Sequence, residues 1–270
     1  MLLHFYKMNG AGNDFVVIDN RELVYELDRE QIAQLCDRHR GVGADGLLAV
    51  EPAEHGANFK FRYYNADGGE AEMCGNGARC FARFAAALMA EPPDELSFET
   101  VAGRLVAREV DEEIQIDMSD PVGLEMECPV EVAAVDGPIH SINTGVPHAV
   151  AFIERLDEVD VVAAGRAIRQ HEHFAPAGVN ANFAAVRGES HLAIRTYERG
   201  VEGETLACGT GMVACALIHH CVTGAKSPIR IDVRGGDSLE IGFERAEDGS
   251  FSKVTLTGPA DFVFEGEIEI

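Results

Sequence analysis

Two cysteines stand in the same small setting. Cys74-Gly75-Asn76-Gly77 and Cys208-Gly209-Thr210-Gly211 each place a thiol before a Gly-rich turn that runs into an apolar segment. The segments Ala78 to Ala90 and Met212 to Val222 read as helices, so each cysteine sits at a helix mouth. The unpaired backbone N–H groups and the positive end of the helix dipole favour an anion there. The same field lowers a thiol pKa from about 8.5 towards neutrality and creates a reactive thiolate. Glycines let a ligand approach the backbone closely. Two such mouths brought to one point would hold a carboxylate between them. Removing the α-hydrogen of an amino acid puts charge onto its carboxylate, and preorganised donors stabilise that charge. Inversion then needs a base on one face of the carbon and an acid on the other. A thiolate and a thiol, Cys74 and Cys208, supply both and exchange roles when the reaction reverses.

The alternative is that Cys-Gly-x-Gly is only a cap and the cysteines are small buried hydrophobes. Repetition at matched positions favours the chemical reading. Cys36, Cys80, Cys128, Cys215 and Cys221 have no matched turn and read as structural.

The elements that position these turns are duplicated. Phe61-Arg62-Tyr63-Tyr64-Asn65 resembles Ile194-Arg195-Thr196-Tyr197-Glu198, and a loop of glycines and acids follows each, Ala66 to Glu72 and Arg199 to Glu204. Tyr64 to Tyr197 spans 133 positions and Cys74 to Cys208 spans 134, a one-residue difference. Both helices are apolar almost all round, broken mainly by Arg79, Arg83 and His219-His220, which predicts helices buried on every side. Short β-branched and aromatic runs separated by Gly, Asp and Pro turns make the rest strand-like. Arg29–Arg38 and Val159–Gln170 read as peripheral helices, and Ser119 to Gly123 as the crossing between halves. The fold class predicted is α+β: two pseudo-symmetric halves, each a strongly curved mixed or antiparallel sheet wrapped around a buried central helix, with a cleft between them. The halves are set at 1–118, joined by a C-terminal strand at about 262–270, and 119–261.

Composition narrows the class. The net charge of −24, from 46 acidic and 22 basic residues, repels nucleic acid and anionic membranes. No apolar run approaches the roughly 18 residues of a membrane span, and the start of the chain does not read as an export signal. A soluble cytoplasmic protein is expected. Seven cysteines, none in a C-x-x-C pair, argue against a disulfide scaffold or a zinc ribbon. Pyridoxal phosphate needs a Schiff-base lysine, and none of the four, at 7, 60, 226 and 253, lies in a Gly/Ser-rich setting. Gly41-Val42-Gly43-Ala44-Asp45-Gly46 fits G-x-G-x-x-G, but a helix precedes it and a strand follows, the reverse of a dinucleotide fingerprint. No His/Cys/Asp cluster shows metal-ligand spacing, so neither metal nor cofactor is expected.

The chain resembles diaminopimelate epimerases over nearly its whole length. The resemblance is carried by Asn9 to Phe15, Gly41 to Gly46, Asn65 to Gly68, Cys74 to Cys80, Gly145 to His148, Val179-Asn180, Glu198-Arg199-Gly200 and Ala207 to Gly211. It implies interconversion of LL- and meso-2,6-diaminopimelate without pyridoxal phosphate or metal, in lysine and cell-wall precursor synthesis, with Cys74 and Cys208 as the acid/base pair. It implies that Gly75, Asn76, Gly209 and Thr210 bind the reacting carboxylate, and that Asn13, Asn65, Asn180, Glu198 and Arg199 hold the distal amino-acid end. Val146 stands where many relatives carry Asn. The expected assembly, a homodimer, rests on no residue pattern. His148 has two readings, as an aid in deprotonating a thiol or as a structural histidine. Two other functions remain open: a two-thiol racemase of proline-type substrates, which would typically carry His in place of Asn76, and a thiol redox switch.

Overall fold

Two helices that lack a polar face dictate the architecture, because each has to be covered on all sides by strands. The structure, a computed structural model, describes residues 1–71 and 74–270. Glu72 and Met73, at the end of the first acidic loop, lie outside the described residues. The chain forms two compact units, Met1–Ile116 with Gly258–Ile270, and Asp117–Thr257. The sequence reading set these limits at 118 and about 262. The return comes earlier, at Gly258, because the last strand of the second unit ends there and Pro259-Ala260 leads directly into the returning strand.

The first unit contains β1 (Leu2–Gly10), β2 (Asn13–Asp19), α1 (Arg29–Cys36), β3 (Gly46–Pro52), β4 (Phe59–Asn65), α2 (Gly75–Ala87), β5 (Leu96–Thr100), β6 (Gly103–Val110) and β7 (Glu113–Asp117). The second contains β8 (Val122–Cys128), β9 (Ile139–Asn143), β10 (Pro147–Phe152), α3 (Val161–Arg169), β11 (Asn180–Gly188), β12 (His191–Glu198), β13 (Gly203–Thr205), α4 (Gly209–Thr223), β14 (Ile229–Asp232), β15 (Ser238–Arg245) and β16 (Phe251–Gly258). The chain closes with β17 (Asp261–Glu269), antiparallel to β1.

The duplication is written in the strand pairing. In the first unit β1/β2 is antiparallel, β2/β3 parallel, β3/β4 antiparallel, β4/β5 parallel, and β5/β6 and β6/β7 antiparallel. The same sequence of signs runs through β9/β10, β10/β11, β11/β12, β12/β14, β14/β15 and β15/β16. α1 and α3 fill one equivalent parallel crossover, and α2 and α4 the other.

Each sheet curls around its own helix. α2 packs on β1, β2, β3, β4 and β6, and α4 on β9, β10, β11, β12, β14 and β15. Every residue from Met212 to Ile218 is fully buried, as the all-round apolar pattern requires. In the first unit the Phe81 ring lies 5.0 Å from Phe61 and 4.9 Å from Phe98, centroid to centroid. Gly10 marks where β1 crosses α2: a Cβ there would press on the Asn76 carbonyl and the Cys80 sulfur.

The structure adjusts several sequence expectations. The helices begin at Gly75 and Gly209, so the glycines form the first turn instead of preceding it. The second acidic loop is a hairpin, β12 with β13, and the first closes by a bridge between Tyr64 and Glu70. The 41–46 turn returns its N–H groups to the end of α1, Val42 and Gly43 to the Leu35 carbonyl and Ala44 to that of Cys36. Among the described residues no helix is long and apolar enough to cross a membrane.

Phe81→Ala should cost about 3–5 kcal/mol, since it empties a close-packed ring cluster. Urea unfolding with the slope unchanged measures this, and a loss below about 1 kcal/mol would show that the cluster is not a core of the first unit.

Candidate functional site

Each unit carries one half-site, built on the first turn of its buried helix. Cys74 is the N-cap of α2, with φ −139° and ψ 118°, and Cys208 is the N-cap of α4, with φ −131° and ψ 107°. The near-identical extended backbones place Asn76 and Thr210 at the same second helical position. Chemically the two turns diverge.

In the first unit the Cys74 Sγ accepts the Gly77 N–H at 3.5 Å. Sulfur thus does what Ser or Asp oxygen usually does at an N-cap. Behind it runs a directed chain of side chains. Arg79, fully buried, donates to Asn76 Oδ1 at 2.9 Å. Asn76 Nδ2 donates to Asn13 Oδ1 at 2.6 Å, and Asn13 Nδ2 donates to Asp45 Oδ2 at 2.9 Å. Asp45 accepts from Arg38, which also clamps Asp14 with two bonds of 2.9 and 2.6 Å. Lys7, buried, reaches Asp14 at 2.7 Å and the Gly43 carbonyl. Burial alone would push the Asp14 carboxyl up, yet Arg38 and Lys7 hold it down at about 2. The guanidinium of Arg79 therefore fixes which way the Asn76 and Asn13 amides face. Asn65 is exposed at the end of β4, and there accepts a bond from the Tyr63 hydroxyl instead of joining this chain.

In the second unit Cys208 is buried and makes no side-chain cap. A chain of polar groups enters from the buried face of β11. Thr196 donates to Asn182 Oδ1 at 3.0 Å, and the Asn182 amide donates to the Ala149 carbonyl at 3.0 Å and to His148 Nδ1 at 3.1 Å. Because Nδ1 accepts, Nε2 carries the proton and donates to Thr210 Oγ1 at 2.8 Å. The Thr210 hydroxyl is left to donate towards Cys208 Sγ, 3.7 Å away. Glu198, whose Oε1 accepts from Thr205 at 2.5 Å, sets its charge against ionisation of the Cys208 thiol.

The electrostatics follow from burial. Burial pushes the Cys208 thiol up, and the Glu198 carboxylate pushes the same way. The Thr210 hydroxyl and the Gly211 N–H pull down without offsetting them. At Cys208, burial and the Glu198 charge oppose the helix-mouth stabilisation of a thiolate expected from sequence. Glu198 is itself raised by burial, with the Thr205 and Cys208 donors acting against it. Burial drives His148 down to about 3, with the Arg199 charge acting in the same direction. That shift, with both ring nitrogens engaged by Asn182 and Thr210, favours the structural reading of His148 over a base for the thiol.

The other predicted residues group at the ends of β11 and β12. Asn180 Oδ1 accepts the Arg199 backbone N–H at 2.8 Å, and the Arg199 guanidinium donates to the Ala177 carbonyl at 3.1 Å. The Val146 carbonyl accepts the Thr144 N–H at the turn before β10. A Cβ at Gly211 would collide with Asn182 Oδ1, so that glycine serves helix-to-strand packing and not ligand access. His219 is buried and bonds the Glu189 carbonyl at 2.9 Å, a structural role. Sequence reasoning passed over Asp45, Asn182 and Thr205, and took Arg79 only as a break in the apolar helix. That break was the available signal, since a charge inside an all-buried helix has to have partners.

Residues 5–124 and 140–263 match the diaminopimelate epimerase family. The chain is 43% identical to a diaminopimelate epimerase of Hydrogenobaculum sp. (strain Y04AAS1), covering 96% of each. Among solved structures, a putative phenazine biosynthesis PhzC/PhzF protein of Clostridium difficile superposes with a TM-score of 0.75 at 12% identity, covering 99% of this chain and 100% of that one. A hydroxyproline epimerase of Agrobacterium vitis does so with a TM-score of 0.68 at 16% identity, covering 99% and 92%. These two show a shared fold.

Glu198→Gln removes the charge that opposes ionisation of Cys208. The pH midpoint for alkylating Cys208, measured in a Cys74→Ser background, should shift to lower pH. A midpoint that stays or rises would break the link between Glu198 and this thiol.

Proposed function

The chain belongs to the diaminopimelate epimerase family, and from its two half-sites we infer that it interconverts LL- and meso-2,6-diaminopimelate by a two-thiol proton transfer without a cofactor. As an isomerase of this family it would serve lysine and peptidoglycan precursor synthesis. One observation carries the mechanism: two N-cap cysteines with near-identical backbones sit in unlike electrostatic surroundings. The Cys74 sulfur accepts the Gly77 N–H, whereas burial and the Glu198 charge both disfavour a thiolate at Cys208. On this reading Cys208 is the proton-bearing partner and Cys74 the sulfur that takes the α-proton.

The Cys74 thiolate removes the α-proton, and the electron pair of the C–H bond moves into the carboxylate. N–H groups at Gly75, Asn76, Gly209 and Thr210 meet that growing charge. The Cys208 S–H bond then breaks, delivering its proton to the opposite face of the carbon. A thiol is left at Cys74 and a thiolate at Cys208, the state required for the reverse direction. Thr210, whose own oxygen accepts from His148, keeps its hydroxyl proton for the Cys208 thiolate as it forms. Each proton moves between carbon and a sulfur of the chain, so the step calls on no other group.

The distal amino-acid end falls to Asn13, Asn65, Asn180 and Arg199. The Arg199 guanidinium spends only part of its five donors on backbone carbonyls and retains others for a carboxylate. Glu198 is assigned a second duty, as partner of the Cys208 thiol, beyond receiving the distal ammonium.

The test is stereoisomer separation after incubating reduced protein with LL-diaminopimelate. Meso product should accumulate to equilibrium. Cys74→Ser and Cys208→Ser should each lower turnover by roughly 10²–10⁴-fold with the fold intact, because a hydroxyl is a far weaker base than a thiolate. No meso product, or wild-type turnover in either variant, would contradict the reading.

A further inference from the structure

A second set of chemically potent side chains lies in the Asp117–Thr257 unit, on β8 and on the 3₁₀ turn Glu172–Phe174. Cys128 Sγ, a Glu125 carboxylate oxygen and a His173 ring nitrogen all lie within 4.8 Å of one another. His173 Nε2 is 3.1 Å from Glu125 Oε2.

Residues three apart on a regular strand point to opposite faces. β8 is not regular. Its register against β9 shifts between Val122 and Glu125 and again between Glu125 and Cys128, and Glu127 takes a left-handed φ of 56°. The two irregularities turn Glu125 and Cys128 to one side, the usual effect of a bulge. A non-glycine residue pays for left-handed backbone, a cost that clusters where an arrangement is used. His173 is steered into place from the other segment: its N–H bonds His171 Nδ1 at 3.2 Å, and its ring lies edge-on to Phe174 at 4.9 Å.

We propose that Glu125, Cys128 and His173 form a binding site for a divalent transition-metal ion of the zinc class. A thiolate, an imidazole and a carboxylate are the donor set of Zn²⁺, whereas Mg²⁺ and Ca²⁺ take oxygen. Thiolate and carboxylate together neutralise the two positive charges of the ion. Beside Cys128 opens a cavity of about 980 Å³ walled in part by Glu131, Asp136 and Glu172 and by no lysine or arginine, which favours entry of a cation. The Cys128 thiol lies 3.5 Å from Ser141 Oγ, and on losing its proton to solvent it would accept from that hydroxyl, the outer contact a metal-bound sulfur needs. The ion would clip β8 to the 3₁₀ turn. The spacing was invisible in the sequence because His173 comes from 45 positions beyond Cys128.

The full-length chain, reduced and stripped of metal, is titrated with Co²⁺. One equivalent should produce a near-ultraviolet thiolate-to-cobalt band that Zn²⁺ abolishes. The band should persist in a Cys74→Ser/Cys208→Ser variant and vanish in Cys128→Ser. Glu125→Gln and His173→Gln should each weaken Zn²⁺ binding at least about tenfold, with circular dichroism unchanged. No band in the wild-type chain, or a band that survives Cys128→Ser, overturns the proposal. If Cys128→Ser does not fold, unchanged Zn²⁺ affinity in both surface variants overturns it equally.

Discussion

The first N–H groups of a helix have no partner within it, and side chains, water or a ligand have to satisfy them. Everything distinctive about this chain follows from how two such helices meet that demand. In α2 the Cys74 sulfur takes one N–H group itself. In α4 the Cys208 sulfur makes no cap, and a buried polar chain reaches it through Thr210. Removing any member of such a chain leaves a buried polar group unsatisfied, at about 1–3 kcal/mol. The site is thus also a stability element, and its residues are tied to the fold.

Duplication explains why the half-sites match, and divergence at one helical position explains why they differ. The order of parallel and antiparallel pairs is the same in the two units. Asn76 turns its amide towards Asn13, at the start of β2, and Thr210 turns its hydroxyl towards His148, on the equivalent strand β10. The Cys74 sulfur accepts an N–H from its helix, whereas Cys208 lies beside the Thr210 hydroxyl and feels the Glu198 charge.

Much of this was legible in the residues. The two Cys-Gly-x-Gly turns, the buried character of both helices and the offset between Tyr64 and Tyr197 are all sequence patterns, since periodicity and spacing are local properties. What stayed hidden was long-range. Asn182 reads as one more residue in a strand, yet it faces inward and orients His148. The helix field at Cys208 was legible, but the burial and the Glu198 charge that outweigh it depend on what packs there. Glu198 illustrates the same limit. Its motif marks it for substrate, whereas only the hairpin geometry of β12 and β13 shows Thr205 and Cys208 converging on its carboxyl group.

The central claim is that two different sulfurs handle the proton, one removing it and one returning another. The most direct measurement is the isotope content of both pools during the first few per cent of conversion of protiated LL-diaminopimelate in D₂O. If Cys208 delivers a proton equilibrated with solvent, the meso product should carry deuterium at the inverted α-carbon while recovered substrate remains protiated. Product that retains the substrate's own α-proton would mean that a single base carries it across, and would contradict the account.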